Sequence, residues 1–161
     1  TEANLGDGIF DGATYLKAGG YFGIGSDSNV RISLQEELRL LEYSQRLKDR
    51  GRAVFASQNA SSGRTLLSGA AIGGARAAGR NSGAIEPGRL ADLLALDREH
   101  TDLMGKHEDM ALDSFIFAGD KRMITDVWSG GRHLVVNGRH IRREIITAQY
   151  RDCLTRLMSR L

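Results

Sequence analysis

Asp27 is the residue of this chain whose type and position are best suited to chemistry. It follows the short apolar segment 21–25 and precedes a helix announced by Ser33 and Glu36, which have the spacing of a capping box. A carboxylate at the C-terminal end of a strand in a β/α unit can bind a metal ion or accept a proton, because the strand holds it rigidly at the mouth of the site. The alternative is that Asp27 only accepts hydrogen bonds from loop amides in an Asx turn. Position alone leaves both interpretations open.

The four histidines are the other candidate metal ligands, and two of them flank a predicted hairpin turn. A two-residue turn at 137–138 would put His133 and His140 on one sheet face as diagonal neighbours, about 7–8 Å apart. No third ligand is evident near them, and Arg142 disfavours a cation, so we interpret them as surface histidines. The sequence contains no His-x-His, His-Glu-x-x-His or Cys-x-x-Cys pattern. If Asp27 binds a metal, its other ligands therefore come from outside this chain.

Nucleophilic catalysis by a serine or a cysteine is not indicated. Ser26 and Ser28 flank Asp27 but do not lie in a Gly-x-Ser-x-Gly pattern. Nothing near the single cysteine, Cys153, marks it as a nucleophile. Because one cysteine cannot form an internal disulfide, we expect a reducing, cytoplasmic setting.

The composition argues against several classes of partner. The chain has 161 residues, with 22 basic and 20 acidic side chains spread along it, and a formal net charge of +2. This balance gives no reason to expect binding to nucleic acid or to an anionic membrane. Aromatic residues make up only 6%, so no platform for stacking bases stands out. No apolar run approaches the ~20 residues that a membrane span requires.

Hydrophobic periodicity and turn residues predict two structural regimes that meet near residue 80. After a loop at 1–8, the predicted helices cover about 10–18, 34–49, 66–78 and 144–161. The predicted strands cover 21–25, 91–97, 114–118, 124–129, 132–136 and 139–142. The first helix, strand and helix have the order of the closing unit of a β/α repeat, whereas the second half is a small β region. The predicted fold class is therefore α/β.

Three motifs together resemble the amidohydrolase superfamily. The stretch 25–28, Gly-Ser-Asp-Ser, resembles the eighth-strand motif in which that superfamily's aspartate binds a catalytic metal. The segment 83–97 is similar to the superfamily's return into its small β-sandwich domain, and 127–141 to the end of that domain. Within the superfamily, 1–8 and 25–29 resemble the enzymes that deiminate N-formimino-L-glutamate in histidine degradation.

The resemblance implies a division of the chain. Residues 1–80 would be the last β/α units of a metal-dependent (β/α)8 barrel, 81–143 part of the β-sandwich, and 144–161 a C-terminal helix. A complete barrel of this kind needs about 250 residues, so the chain is too short to hold one. The missing N-terminal part of the same enzyme is thus an implied partner, and a homodimer is the usual expectation for such enzymes.

The resemblance also implies a reaction. One Zn²⁺ per active site would be held by Asp27 and by histidines outside this chain, with Asp27 also accepting the proton of the attacking water. The small-molecule substrate would yield N-formyl-L-glutamate and ammonia, with Asn4 and Ser28 near it, and the chain alone would be inactive. The alternatives are a deaminase acting on a guanine- or adenosine-like ring, and a non-catalytic packing module in which Asp27 only caps a loop.

Overall fold

The computed structural model describes residues 2–160, and its first half is helical. The elements are α1 (Glu2–Leu5), α2 (Gly12–Lys17), α3 (Leu34–Asp49) and α4 (Ser62–Ala77). Side chains that accept a backbone hydrogen bond fix three of the helix starts, as expected for N-caps: Asp11 for α2, Ser33 for α3 and Ser61 for α4. The predicted loop at 1–8 thus contains a single helical turn, and the helix predicted from residue 66 begins four residues earlier.

The second half combines a small sheet with two further helices. In chain order the elements are β1 (Leu93–Leu96), α5 (Glu108–Phe117), a 3-10 turn (Lys121–Met123), β2 (Ile124–Ser129), β3 (Arg132–Val136), β4 (Arg139–His140) and α6 (Arg143–Met158). The four strands form one antiparallel sheet in the order β1-β2-β3-β4. The α/β class is consistent with this mixture of helices and strands.

The β3–β4 hairpin has the register that the predicted two-residue turn implies, but β4 ends at His140, two residues short of the predicted strand at 139–142. Val136 pairs with Arg139 and Val135 with His140. Asn137 and Gly138 both have positive φ, 50° and 71°, as the expected tight turn requires.

The predicted strand at 114–118 is wrong, because residues 114–117 belong to α5 and Ala118 is the C-cap of that helix. A short apolar run fits a buried strand or a buried helix equally well by periodicity. Glu108 and Asp109 occupy the first turn, where acidic residues favour a helix, and Phe115 and Ile116 are fully buried.

The predicted strand at 21–25 is also not formed as a hydrogen-bonded strand. Its exposure still alternates, with Phe22 and Ile24 half-buried and packed against the core, and Gly23 and Gly25 exposed. This alternation is that of an extended segment. Among residues 2–160 no strand pairs with this segment. Its side chains are therefore packed on one side, while its backbone groups have no strand partner.

The core lies where α3, α4 and α5 meet. Its fully buried apolar side chains are Leu38, Leu66, Phe115, Ile116 and Met123. The sheet joins this core through Leu96 and Ile124, which pack against it. By contrast, α6 has no buried residue. The core therefore supports α3, and α3 in turn supports the loop that carries Asp27.

Candidate functional site

Asp27 lies in a tight turn that presents its carboxylate to solvent. The turn is closed by a hydrogen bond of 2.6 Å from the Asn29 amide to the Ser26 carbonyl, and Asp27 has a φ of 39°. The side chain of Asp27 is exposed and, within residues 2–160, makes no hydrogen bond or ion pair. The carboxylate therefore does not serve the Asx turn that was the alternative, and both of its oxygens remain available to a ligand.

Two side-chain amides connect this turn to other parts of the chain. Asn4 Nδ2 donates to the Ser28 carbonyl at 3.0 Å, so the structure brings the three predicted site residues, Asn4, Asp27 and Ser28, together. In addition, Asn29 Nδ2 donates to Glu37 Oε1 at 2.5 Å. These bonds fix the turn without using the carboxylate of Asp27.

Glu37 is a residue that the sequence analysis missed. The capping-box pattern drew attention to Glu36, whose amide does donate to the Ser33 hydroxyl, but the Glu36 carboxylate pairs with Arg31 at 3.0 Å. The neighbouring Glu37 faces the turn instead. The sequence did contain a signal for it: an asparagine in the loop after Asp27, Asn29, and a second acidic residue, Glu37, in the first helical turn of α3.

A groove of about 720 Å³ opens beside Asp27. It is bounded by the N-terminal segment, by residues 22–25 and by one side of α3, with apolar side chains on its walls: Ile9, Phe10, Phe22, Ile24, Leu40, Leu41, Tyr43 and Leu47. The charged side chains on the described lining are all acidic, namely Glu2, Asp27 and Glu37. An apolar groove whose charged lining is acidic favours a cation, and offers no partner for an anionic substrate group.

The residues present fit one ligand of a metal site. A carboxylate oxygen is an accepted zinc ligand, and Asp27 is exposed, without a partner and fixed by its turn. Within residues 2–160, no group of three histidine, cysteine, aspartate or glutamate residues could hold a metal ion. Asp27 therefore fits a zinc site only when further ligands come from outside the described chain.

The histidines of the hairpin do not form a second site. His133 stacks on Trp128, with ring centroids 4.3 Å apart, and its Nε2 lies 2.7 Å from Asp126 Oδ1. The Thr125 hydroxyl and then His133 hold the pKa of Asp126 below its usual range. His140 Nδ1 instead accepts a hydrogen bond from the Arg142 amide. Each histidine thus has its own structural partner, in keeping with their interpretation as surface residues.

Comparison with known proteins assigns this arrangement to a family. The model of the amidohydrolase family matches residues 1–134. The chain belongs to the amidohydrolase family. It is 48% identical over 145 residues to formimidoylglutamate deiminase from Pseudomonas aeruginosa, an alignment that covers 89% of this chain and 32% of that protein.

Solved amidohydrolase structures share the fold. An amidohydrolase from Brucella melitensis superposes with a TM-score of 0.87 at 45% identity, over 98% of this chain and 34% of that one. Atrazine chlorohydrolase from Arthrobacter aurescens, solved as a complex with zinc, gives 0.74 at 29% identity, over 92% and 33%. The chain thus spans about a third of the length of the relatives it matches.

Every helix within residues 2–160 is too short or too polar to span a membrane.

Proposed function

We propose that this chain is the C-terminal part of a zinc-dependent enzyme that hydrolyses N-formimino-L-glutamate to N-formyl-L-glutamate and ammonia. The observation that carries the proposal is the exposed, unpartnered carboxylate of Asp27. The resemblance of residues 25–28 to the family's eighth-strand motif supports its assignment as the metal-binding aspartate. The 48% identity to formimidoylglutamate deiminase supports the choice of substrate.

Asp27 has two roles in this proposal. Zinc, when bound, supplies the Lewis acidity that makes water reactive at neutral pH. Asp27, together with histidines outside this chain, would hold the zinc, and its carboxylate accepts a proton from the attacking water. It then returns that proton to the departing nitrogen, since one carboxylate can act as a base and later as an acid. An exposed carboxylate held by a rigid turn is suited to both steps.

The proposed substrate-binding groups of this chain are Asn4 and Ser28. The hydrogen bond from Asn4 to the Ser28 carbonyl joins the N-terminal segment to the turn that carries Asp27, although neither residue lines the described groove. The two carboxylates of the substrate need cationic partners. Because the described groove lining is acidic, we assign those partners, together with the histidine ligands, to the rest of the enzyme.

The division of the chain follows the same proposal. Residues 1–80 contribute the last β/α units of the barrel, 81–143 part of the small β-sandwich and 144–161 the C-terminal helix. The extended segment 21–25 supports this assignment, since one of its sides packs on the core while its backbone has no strand partner among residues 2–160. In the complete enzyme, neighbouring barrel strands would pair with it.

The test is ammonia release by the complete enzyme, meaning this chain joined to the barrel segment that precedes it in its relatives. We expect ammonia from N-formimino-L-glutamate and far less from guanine or adenosine. Preference for a purine would overturn the substrate and favour the ring-deaminase alternative. If a folded, zinc-loaded protein released no ammonia from any of the three compounds, the result would favour the non-catalytic alternative.

A further inference from the structure

The turn that presents Asp27 is fixed by its surroundings and not by Asp27 itself. Its closing hydrogen bond joins Asn29 to Ser26, and Asp27 has a φ of 39°. Aspartate tolerates the left-handed region better than most residues, but such a conformation persists only where neighbouring contacts hold it. The direction of the Asp27 carboxylate therefore depends on whatever holds Asn29 in place.

Glu37 holds Asn29. Its Oε1 accepts the hydrogen bond from Asn29 Nδ2, eight residues earlier in the chain. A hydrogen bond to an ionised acceptor is stronger than a neutral one. Glu37 is mounted on the first turn of α3, and the next residue, Leu38, is fully buried in the core. A rigid connection thus runs from the core through Glu37 and Asn29 to Asp27.

We propose that Glu37 is a positioning residue for Asp27, acting through Asn29. The proposal rests on the proposed function, in which Asp27 binds zinc and transfers a proton. Partners that orient a metal ligand usually change metal affinity or activity by about 10–100-fold when they are lost. The competing explanation is that Glu37 only favours the positive end of α3. That explanation predicts equal effects at Glu36, which lies in the same first turn.

The experiment compares three variants of the complete enzyme: Glu37→Leu, Glu37→Gln and Glu36→Leu. Zinc affinity is measured by competition with a chelator, in parallel with kcat and KM for N-formimino-L-glutamate. We expect Glu37→Leu to lower zinc affinity and kcat by about 10–100-fold each. Glu37→Gln keeps the acceptor oxygen but loses its charge, so it should stay within about fivefold of the wild type. Glu36→Leu removes a surface ion pair with Arg31 and the same first-turn charge, and it should stay within about threefold of the wild type.

The outcomes separate this inference from the proposed function. The positioning role would be overturned if Glu37→Leu and Glu36→Leu had the same zinc affinity and kcat. It would also be overturned if Glu37→Gln lost as much zinc affinity and kcat as Glu37→Leu. A wild type that binds zinc tightly but does not turn over N-formimino-L-glutamate would refute the substrate alone, and the zinc affinities would still test Glu37. A wild type without zinc affinity would overturn both, through the failure of Asp27 as a ligand.

Discussion

Replacing Gly73 with alanine should displace the segment that leads to Asp27. Gly73 lies in α4 and faces the extended segment, where an added Cβ would stand 1.9 Å from the Phe22 carbonyl oxygen and 2.5 Å from its carbon. Real Cβ atoms essentially never approach closer than 3.0 Å, so α4 and the segment must separate by roughly 1.1 Å. The added Cβ would meet backbone atoms of Phe22, which cannot move aside as the end of a flexible side chain would.

The adjacent glycine offers a matched control. A Cβ at Gly74 would lie 4.0 Å from the Gly23 Cα, an ordinary van der Waals contact. Both substitutions gain about 1 kcal/mol of helix propensity, and only Gly73→Ala adds a clash, which costs about 1–3 kcal/mol. Gly74→Ala should therefore be stabilising, and Gly73→Ala should be less stable than Gly74→Ala by about 1–3 kcal/mol.

The same displacement should shift Asp27 and lower kcat, because Phe22 lies only five residues before Asp27. A misplacement of about 1 Å can lower a rate by about 100-fold. The assay is urea unfolding followed by circular dichroism, together with kcat for N-formimino-L-glutamate, on both variants of the complete enzyme. Equal unfolding midpoints and equal kcat values for the two variants would refute the close packing of α4 on this segment.

Two further predictions concern the residues that hold the helices and the sheet together. The fully buried carboxylate of Glu42 accepts hydrogen bonds from the Val54 and Phe55 amides and pairs with Arg46. Glu42→Ala should therefore cost about 3–5 kcal/mol in urea unfolding, whereas a loss below about 1 kcal/mol would contradict this role. Arg122 holds the pKa of Asp120 at about 2, below the usual 3.8. The stabilisation from the ionised Asp120 carboxylate is therefore fully present above pH 3.8 and is lost as the pH falls toward 2. Asp120→Asn should flatten the decline of the urea midpoint between pH 4 and 2, and an unchanged decline would count against the pair.

Local signals in the sequence were sufficient for several elements. The Ser33 cap fixed the start of α3, and Asn137-Gly138 fixed the register of the β3–β4 hairpin. Both features depend on residues within a few positions of one another. By contrast, the strand predicted at 114–118 became part of α5, because an apolar run does not reveal whether its burial comes from a sheet or from other helices.

The site shows the same contrast. The apolar segment before Asp27 and the capped helix after it correctly indicated a loop between them, and Asp27 lies in a turn there. Glu37 was not predicted, because adjacent glutamates look alike in sequence and only the fold determines which one faces the turn. The strand pairing of 21–25 could not be predicted either, since it depends on partners that are not among residues 2–160.

The most direct test of the account is the zinc content of the complete enzyme carrying Asp27→Asn, with Asp49→Asn, at the exposed end of α3, as the control. The wild type and Asp49→Asn should each bind about one zinc per active site and release ammonia from N-formimino-L-glutamate. Asp27→Asn should lose most of the zinc and nearly all turnover, because an amide is a poor zinc ligand and cannot accept the proton. Full zinc content and full turnover in Asp27→Asn would contradict the account and leave Asp27 as a residue of the loop alone.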